Sequence, residues 1–177
     1  MADEDDSRCV ILVDENDNQT GTAGKMEAHL NGGKLHRAFS VIITDSKGRI
    51  MLQKRAAAKY HSQGLWTNTC CSHPEPGEST EDAAHRRLKE EMGFDTPLKE
   101  VFSFVYKAPL DTGLTEHEYD HVFIGTYDGV PVCDPAEVED WRLAEPEELR
   151  MDMNAHPEEF SEWFRIIINR YFGFISR

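Results

Sequence analysis

Apolar residues recur along this chain with two periods. Residues 9–14, 35–43, 49–54, 101–106, 116–127 and 138–143 are alternating or continuously apolar runs bounded by Gly, Asp, Asn or Pro, and they predict strands. Only Asp45-Ser46-Lys47-Gly48 separates the second run from the third, so that pair predicts a hairpin. Residues 21–33 are polar and punctuated by glycine, and 55–66 read as a polar loop. Helical spacing begins after Gly77. Ser79 suits an N-cap with Asp82 three residues on, and Glu81 and Asp82 put negative charge where exposed backbone N–H groups favour it. Ala83, Leu88 and Met92 form a narrow apolar stripe, and Gly93 is a natural stop. Acidic residues at 145–148 open a second helix. Residues 157–172 predict a third, with Phe160, Trp163, Phe164, Ile167, Ile168 and Tyr171 at helical spacing. No repeat or linker divides the chain. The order predicts one α/β (α+β) domain over 9–177, a mixed sheet flanked by helices, behind a disordered acidic leader at 1–8.

Composition narrows the function. The 177 residues suit one domain with a real core. Apolar content of 39% and charged content of 29% belong to a globular protein. No apolar run approaches the ~20 residues needed to cross a bilayer. The acidic N-terminus lacks the basic-then-apolar order of a secretion signal. A net charge of -14 argues against nucleic acid and against an anionic membrane surface as partners. An anionic small molecule then requires a local cluster of Arg, Lys or metal. The acidity itself fits plain solubility or a high-salt cytoplasm. Cys9, Cys70, Cys71 and Cys133 include two neighbours, which rarely bridge each other, so free thiols and a cytoplasmic location are expected. Without an exposed apolar heptad, the expected state is a monomer.

The chemistry-bearing residues gather around Trp66-Thr67-Asn68-Thr69-Cys70-Cys71-Ser72-His73-Pro74 and the charged helix that follows. His117-Glu118-Tyr119-Asp120-His121 matches a zinc-protease pattern that requires a helix. The residues after it read as a strand, on which the two histidines would lie ~13 Å apart. On that strand Glu116 and Glu118 share a face, either as two solvated carboxylates or as groups held there by a cation or an acid–base role. His29, His36 and His73 with these carboxylates would suit zinc or manganese, and singly would be hydrogen-bonded structural residues. Cys71, two residues before His73, is a ligand, a nucleophile, a proton carrier or a small buried hydrophobe. Trp163 reads as core, or as a π face for a cation. Arg55, Lys59 and Arg87 are phosphate contacts or ordinary ion pairs.

Residues 72–94 resemble a Nudix box, G-x5-E-x7-R-E-U-x-E-E-x-G-U with U apolar. Glu78, Arg86, Leu88, Glu90, Glu91, Gly93 and Phe94 fit, while Ser72 replaces the first Gly and Arg87 replaces a Glu used in diphosphate hydrolysis. The segments Leu35-His36-Arg37-Ala38-Phe39-Ser40, Thr67 through Pro74 and Glu116-His117-Glu118, with Lys25, Glu27-Ala28-His29 and Ser161-Glu162-Trp163, resemble the type 1 isopentenyl-diphosphate isomerases of the Nudix superfamily. That resemblance implies a Nudix-like fold and interconversion of isopentenyl and dimethylallyl diphosphate through a tertiary carbocation. It implies His29, His36, His73, Glu116 and Glu118 as ligands of Mn2+, Zn2+ or Mg2+, and Glu91 as holder of Mg2+ against the substrate diphosphate. Cys71 and Glu118 become the acid–base pair, with Tyr106 supporting Glu118. Lys25, Arg55, Lys59 and Arg87 bind diphosphate, and Trp163 lines the hydrocarbon end. The reading favours Glu118 as the first acid and Cys71 as the group that removes the second proton. Arg87 suits gripping a diphosphate rather than cleaving one. The rival readings are a Nudix hydrolase of a nucleoside or prenyl diphosphate and a metal-stabilised binding module.

Overall fold

The computed structural model describes residues 8–59, 61–110 and 112–176. In chain order the elements are β1 (Cys9–Val13), β2 (Gln19–Gly24), α1 (Lys25–His29), β3 (His36–Thr44), β4 (Ile50–Arg55), β5 (Trp66–Thr67), β6 (Cys70–Ser72), α2 (Thr80–Met92), β7 (Lys99–Pro109), β8 (Thr115–Thr126), β9 (Val138–Ala144), α3 (Pro146–Ala155) and α4 (Glu162–Ile175). The expected acidic leader lies outside the described residues except for Arg8, whose carbonyl accepts the Lys25 N–H at 2.9 Å.

β3 organises the mixed sheet. It is almost continuously buried, as a strand covered on both faces must be. β8 runs parallel to it over its whole length, from His36↔Glu118 to Thr44↔Thr126. Along its other edge β3 meets β1 at His36, β6 at residues 39–41 and β4 at Thr44. Alternation splits the core. Phe39, Val41 and Ile43 pack with Met51, Leu88 and Met92 under α2, whereas Ile42, Leu52 and Val122 pack with Phe164, Ile167 and Ile168 of α4. Phe164 is fully buried, so truncating it to Ala should cost about 3–5 kcal/mol. Among the described residues no helix is long and apolar enough to cross a membrane.

Four expectations change. The Gly-punctuated stretch forms β2 and α1, because β2 finds its ladder on β1. The loop after β4 contains the short strands β5 and β6. The β3–β4 hairpin survives only at its tip, Thr44↔Ile50. Thr69 is wedged between the strands beyond that point: its hydroxyl accepts from the Ile43 N–H at 3.0 Å and donates to the Met51 carbonyl at 2.6 Å. Last, the C-terminal helix begins at Glu162. A 3-10 turn at Pro157–Glu159 precedes it, Phe160 bridges to Trp66, and the Ser161 hydroxyl caps the Phe164 N–H.

Candidate active site

α2 forms as its sequence dictates. The Ser79 hydroxyl accepts the Asp82 N–H at 3.1 Å and donates to the Asp82 carboxylate at 2.7 Å. Gly93 ends the helix at φ 73, and a Cβ there would sit 2.2 Å from the Val132 carbonyl oxygen. Two residues of the Nudix-like motif prove structural: Arg86 grips the Glu78 carboxylate with Nε at 2.7 Å and Nη2 at 2.8 Å. Two others turn inward. Arg87 and Glu91 are buried and joined at 2.7 Å, and the Gln53 amide donates to Glu91 at 2.8 Å.

The wedge of Thr67, Asn68 and Thr69 is wholly buried and satisfied. Asn68 donates to the Cys70 carbonyl at 2.6 Å, and Gln53 donates to the Thr69 carbonyl at 2.7 Å. It delivers the adjacent cysteines to different sides, Cys70 into the core under α2 and Cys71 into a cavity. All four thiols are free. Opposite Cys71 across β3 stands β8, whose Glu116, Glu118 and Asp120 face inward and are buried while His117 and His121 face away. His117 meets the Gly33 carbonyl, and His121 meets Asp17 and Glu100, so the protease pattern has no shared metal.

One cavity brings together Lys25, His29, Arg55, Lys59, Cys71, His73, Arg87, Glu91, Tyr106, Glu116, Glu118 and Trp163. His36 is fully buried behind it, 3.1 Å from His73 between their Nε2 atoms. His29 and His36 each point Nδ1 at a carbonyl, of Lys25 and Lys34, at 2.7 Å. Those contacts hold the Nδ1 hydrogens and leave Nε2 for a ligand. Ligand atoms of His29, His36, His73 and Glu118 all lie within 4.8 Å of one another. Three imidazole nitrogens and a carboxylate fit a divalent metal ion. Glu116 stands beside this group, tied to it through Tyr106.

Burial pulls the His29 ring down, with His36 adding to the effect, and pulls His73 down to about 4, so His73 is neutral at pH 7. Neutral rings are the ligand form. Burial raises Glu116, and the neighbouring Glu118 raises it further. Burial would raise Glu118 too, but the His36 and His73 side chains beside its carboxylate outweigh it and hold this carboxyl well below the usual range. The Tyr106 hydroxyl lies 2.8 Å from Glu116 and 2.7 Å from Glu118. It has one hydrogen, so a protonated Glu116 donates to Tyr106 and Tyr106 donates to Glu118. Burial, reinforced by Glu91, pushes the Cys71 thiol up, so it keeps its proton.

The cationic side is crowded with carboxylates. Arg87 contacts Glu90 at 2.6 Å and Glu137 at 3.2 Å besides Glu91, and Lys59 is paired with Glu137. The Arg55 guanidinium lies 5.1 Å from the centre of the Trp163 ring. Trp163 is both core and cavity wall. The Nε atoms of Arg55 and Arg87 and the indole Nε1 of Trp163 are buried without a hydrogen-bond partner among the described residues, three donors that suit a polar anionic ligand.

Three residues in or beside the cavity escaped the sequence. Asp120, raised by burial and then by Glu118, accepts from Ser40 at 2.9 Å; continuing the alternation from Glu116 and Glu118 would have found it. His61, drawn down to about 2 by burial and then by Arg55, stands edge-on to Trp163 at 5.7 Å, and Glu137 joins two cations; neither carries a motif signal.

The fold and this inward-facing helix define a class: the sequence profile of the NUDIX domain matches residues 34–164. The structure of DR0079 from Deinococcus radiodurans shares the fold, with a TM-score of 0.78 at 19% identity over 92% of this chain and 98% of that one. Isopentenyl-diphosphate Delta-isomerase 2 of Aromatoleum aromaticum is 56% identical over 161 residues, 91% of this chain and 85% of that protein. The Photorhabdus laumondii protein of the same name is 54% identical over 160 residues, 90% of each. The chain belongs to the isopentenyl-diphosphate Delta-isomerase family, built on a NUDIX domain.

Proposed function

We propose that the chain interconverts isopentenyl and dimethylallyl diphosphate. The observation that carries this reading is the meeting, in one cavity, of a thiol and a carboxylate from opposite edges of β3, between imidazoles and cations. An unactivated alkene is a weak base, so its protonation needs a placed acid and little water. The reaction adds a proton to the terminal alkene carbon and removes one from the carbon two positions away, with a tertiary cation between. Cys71, whose thiol burial keeps protonated, and Glu118 are the acid–base pair for these two protons. Tyr106 orients Glu118 through its hydrogen bond, and the thiol and the carboxyl exchange protons with solvent between turnovers. The Trp163 ring faces the developing cation, an interaction of about 2 kcal/mol once water is excluded.

The substrate diphosphate stays intact and serves as a handle on Lys25, Arg55, Lys59 and Arg87. Arg87 stands where hydrolysis needs a Glu, which disfavours cleavage. His29, His36, His73 and Glu118, with Glu116 adjoining, would hold Mn2+, Zn2+ or Mg2+, and Glu91 would hold Mg2+ with the diphosphate. A bound divalent ion supplies positive charge that strengthens the acidity of its carboxyl ligands. The protein acts as a monomer in the cytoplasm, without nucleic acid or membrane. Isomerisation assayed in heavy water should yield dimethylallyl diphosphate carrying solvent deuterium, and a chelator should abolish it reversibly. Diphosphate cleavage outrunning isomerisation would overturn the assignment in favour of a hydrolase.

A further inference from the structure

Glu137 lies outside every motif, yet it ties the cationic wall together. It occupies the turn before β9, and its carboxylate pairs with Lys59 and lies 3.2 Å from Arg87 Nη2. Its backbone is also anchored. Its carbonyl accepts the Ala56 N–H, and its own N–H donates to the Asp134 carbonyl, both at 3.0 Å. The Asp134 N–H in turn donates to the Glu91 carbonyl at 3.0 Å. One turn thus joins the end of β4, the loop bearing Lys59 and the end of α2 around a single carboxylate.

Lys59 and Arg87 are 6% and 5% exposed. Buried cations of like sign repel each other and need a fixed counter-charge. Arg87 has Glu90 and Glu91 on its own helix, but Lys59 has no other carboxylate partner among the described residues. A lysine on a flexible stem loses rotamer freedom when it binds an anion, and a partner that orients it beforehand removes that loss.

We propose that Glu137 is a positioning residue of the diphosphate subsite, holding Lys59 and Arg87 side by side in the cavity wall so that both meet an incoming diphosphate already oriented. The identity of the prenyl group rests on the isomerase reading above; the anion-binding role does not. The test uses the full chain with magnesium, comparing wild type with Glu137→Gln and Glu137→Asp. Calorimetry with inorganic diphosphate reads the subsite alone, and steady-state kinetics with isopentenyl diphosphate reads the reaction. Glu137→Gln should weaken diphosphate binding and raise KM about tenfold, while kcat stays within about threefold. Glu137→Asp should recover most of both losses. Unchanged or tighter diphosphate binding in folded Glu137→Gln overturns the proposal, including the case where only Tm falls, which would make the residue merely structural. If wild type binds diphosphate but isomerises nothing, the isomerase reading fails and the calorimetric comparison still decides the role of Glu137.

Discussion

The two ends of the cavity are built by opposite means. At the imidazole end, main chain sets two of the rings: His29 and His36 lean on backbone carbonyls, and parallel pairing sets His36 directly opposite Glu118. At the cationic end, two of the cations are held by side chains alone: Arg87 by Glu90, Glu91 and Glu137, and Lys59 by Glu137. The difference matches the ligands proposed for each end. Donor atoms for a small ion must be placed to within about 0.5 Å, and backbone geometry gives that accuracy. A polyanion needs charges whose partners can be exchanged as it enters, and ion pairs allow it.

The largest effects should come from the end that does chemistry. Cys71→Ala or Glu118→Gln should lower kcat by about 100- to 10,000-fold, with an unchanged circular dichroism spectrum. Full activity in either variant would break the comparison, since neither end would then hold the reacting groups. At the cationic end Arg87→Ala should act on binding, raising KM about tenfold to a hundredfold with a smaller change in kcat. A kcat loss without a KM change would show that Arg87 belongs with the reacting groups instead.

A stability measurement separates the two further. Thr69→Val removes the hydroxyl that satisfies the Ile43 N–H and the Met51 carbonyl between β3 and β4. It should cost about 2 kcal/mol in urea unfolding. Because the same segment carries Cys71 and His73, kcat should fall with it.

The last test is a pH slope in the metal-free protein. Burial holds His61 at about 2 and His73 at about 4, against 6.5 for a free ring. As pH falls through 6.5 the unfolded chain takes up protons that the folded rings refuse. Each histidine therefore lowers stability by about 1.4 kcal/mol per pH unit. For His73 this loss ends near 4, and for His61 it continues below. Glu116 and Asp120, raised in the folded state, act in the opposite sense. The contribution of His61 is therefore read as the difference between wild type and His61→Asn, whose stability should fall less steeply with acid. Parallel curves would refute it.

Legibility in the sequence followed the locality of the physics. α2 was readable because its cap, apolar stripe and terminal glycine lie within one turn of where they act. The strands β3, β7 and β8 were readable from their alternation or apolar run, and the metal-type donors from residue type and family resemblance. What stayed hidden depended on contacts remote in the chain. The hairpin holds only at its tip because Thr69, beyond the turn, takes over bonds between β3 and β4. β2 is strand only because β1 is beside it. Glu137 is meaningful only once Lys59 and Arg87 are seen on either side, and no spacing rule links residues on a loop, a helix and a turn.

The parallel pairing of β3 with β8 has a consequence for how the protein comes into being. Parallel strands so far apart in sequence meet only after a long loop has closed, a slow step that local structure cannot anticipate. His36 and Glu118 sit at the start of that pairing, so the imidazole–carboxylate cluster does not exist in any partly folded chain lacking it. Tight uptake of a transition-metal ion would therefore report completed folding, and its rate during refolding would time the closure of the sheet.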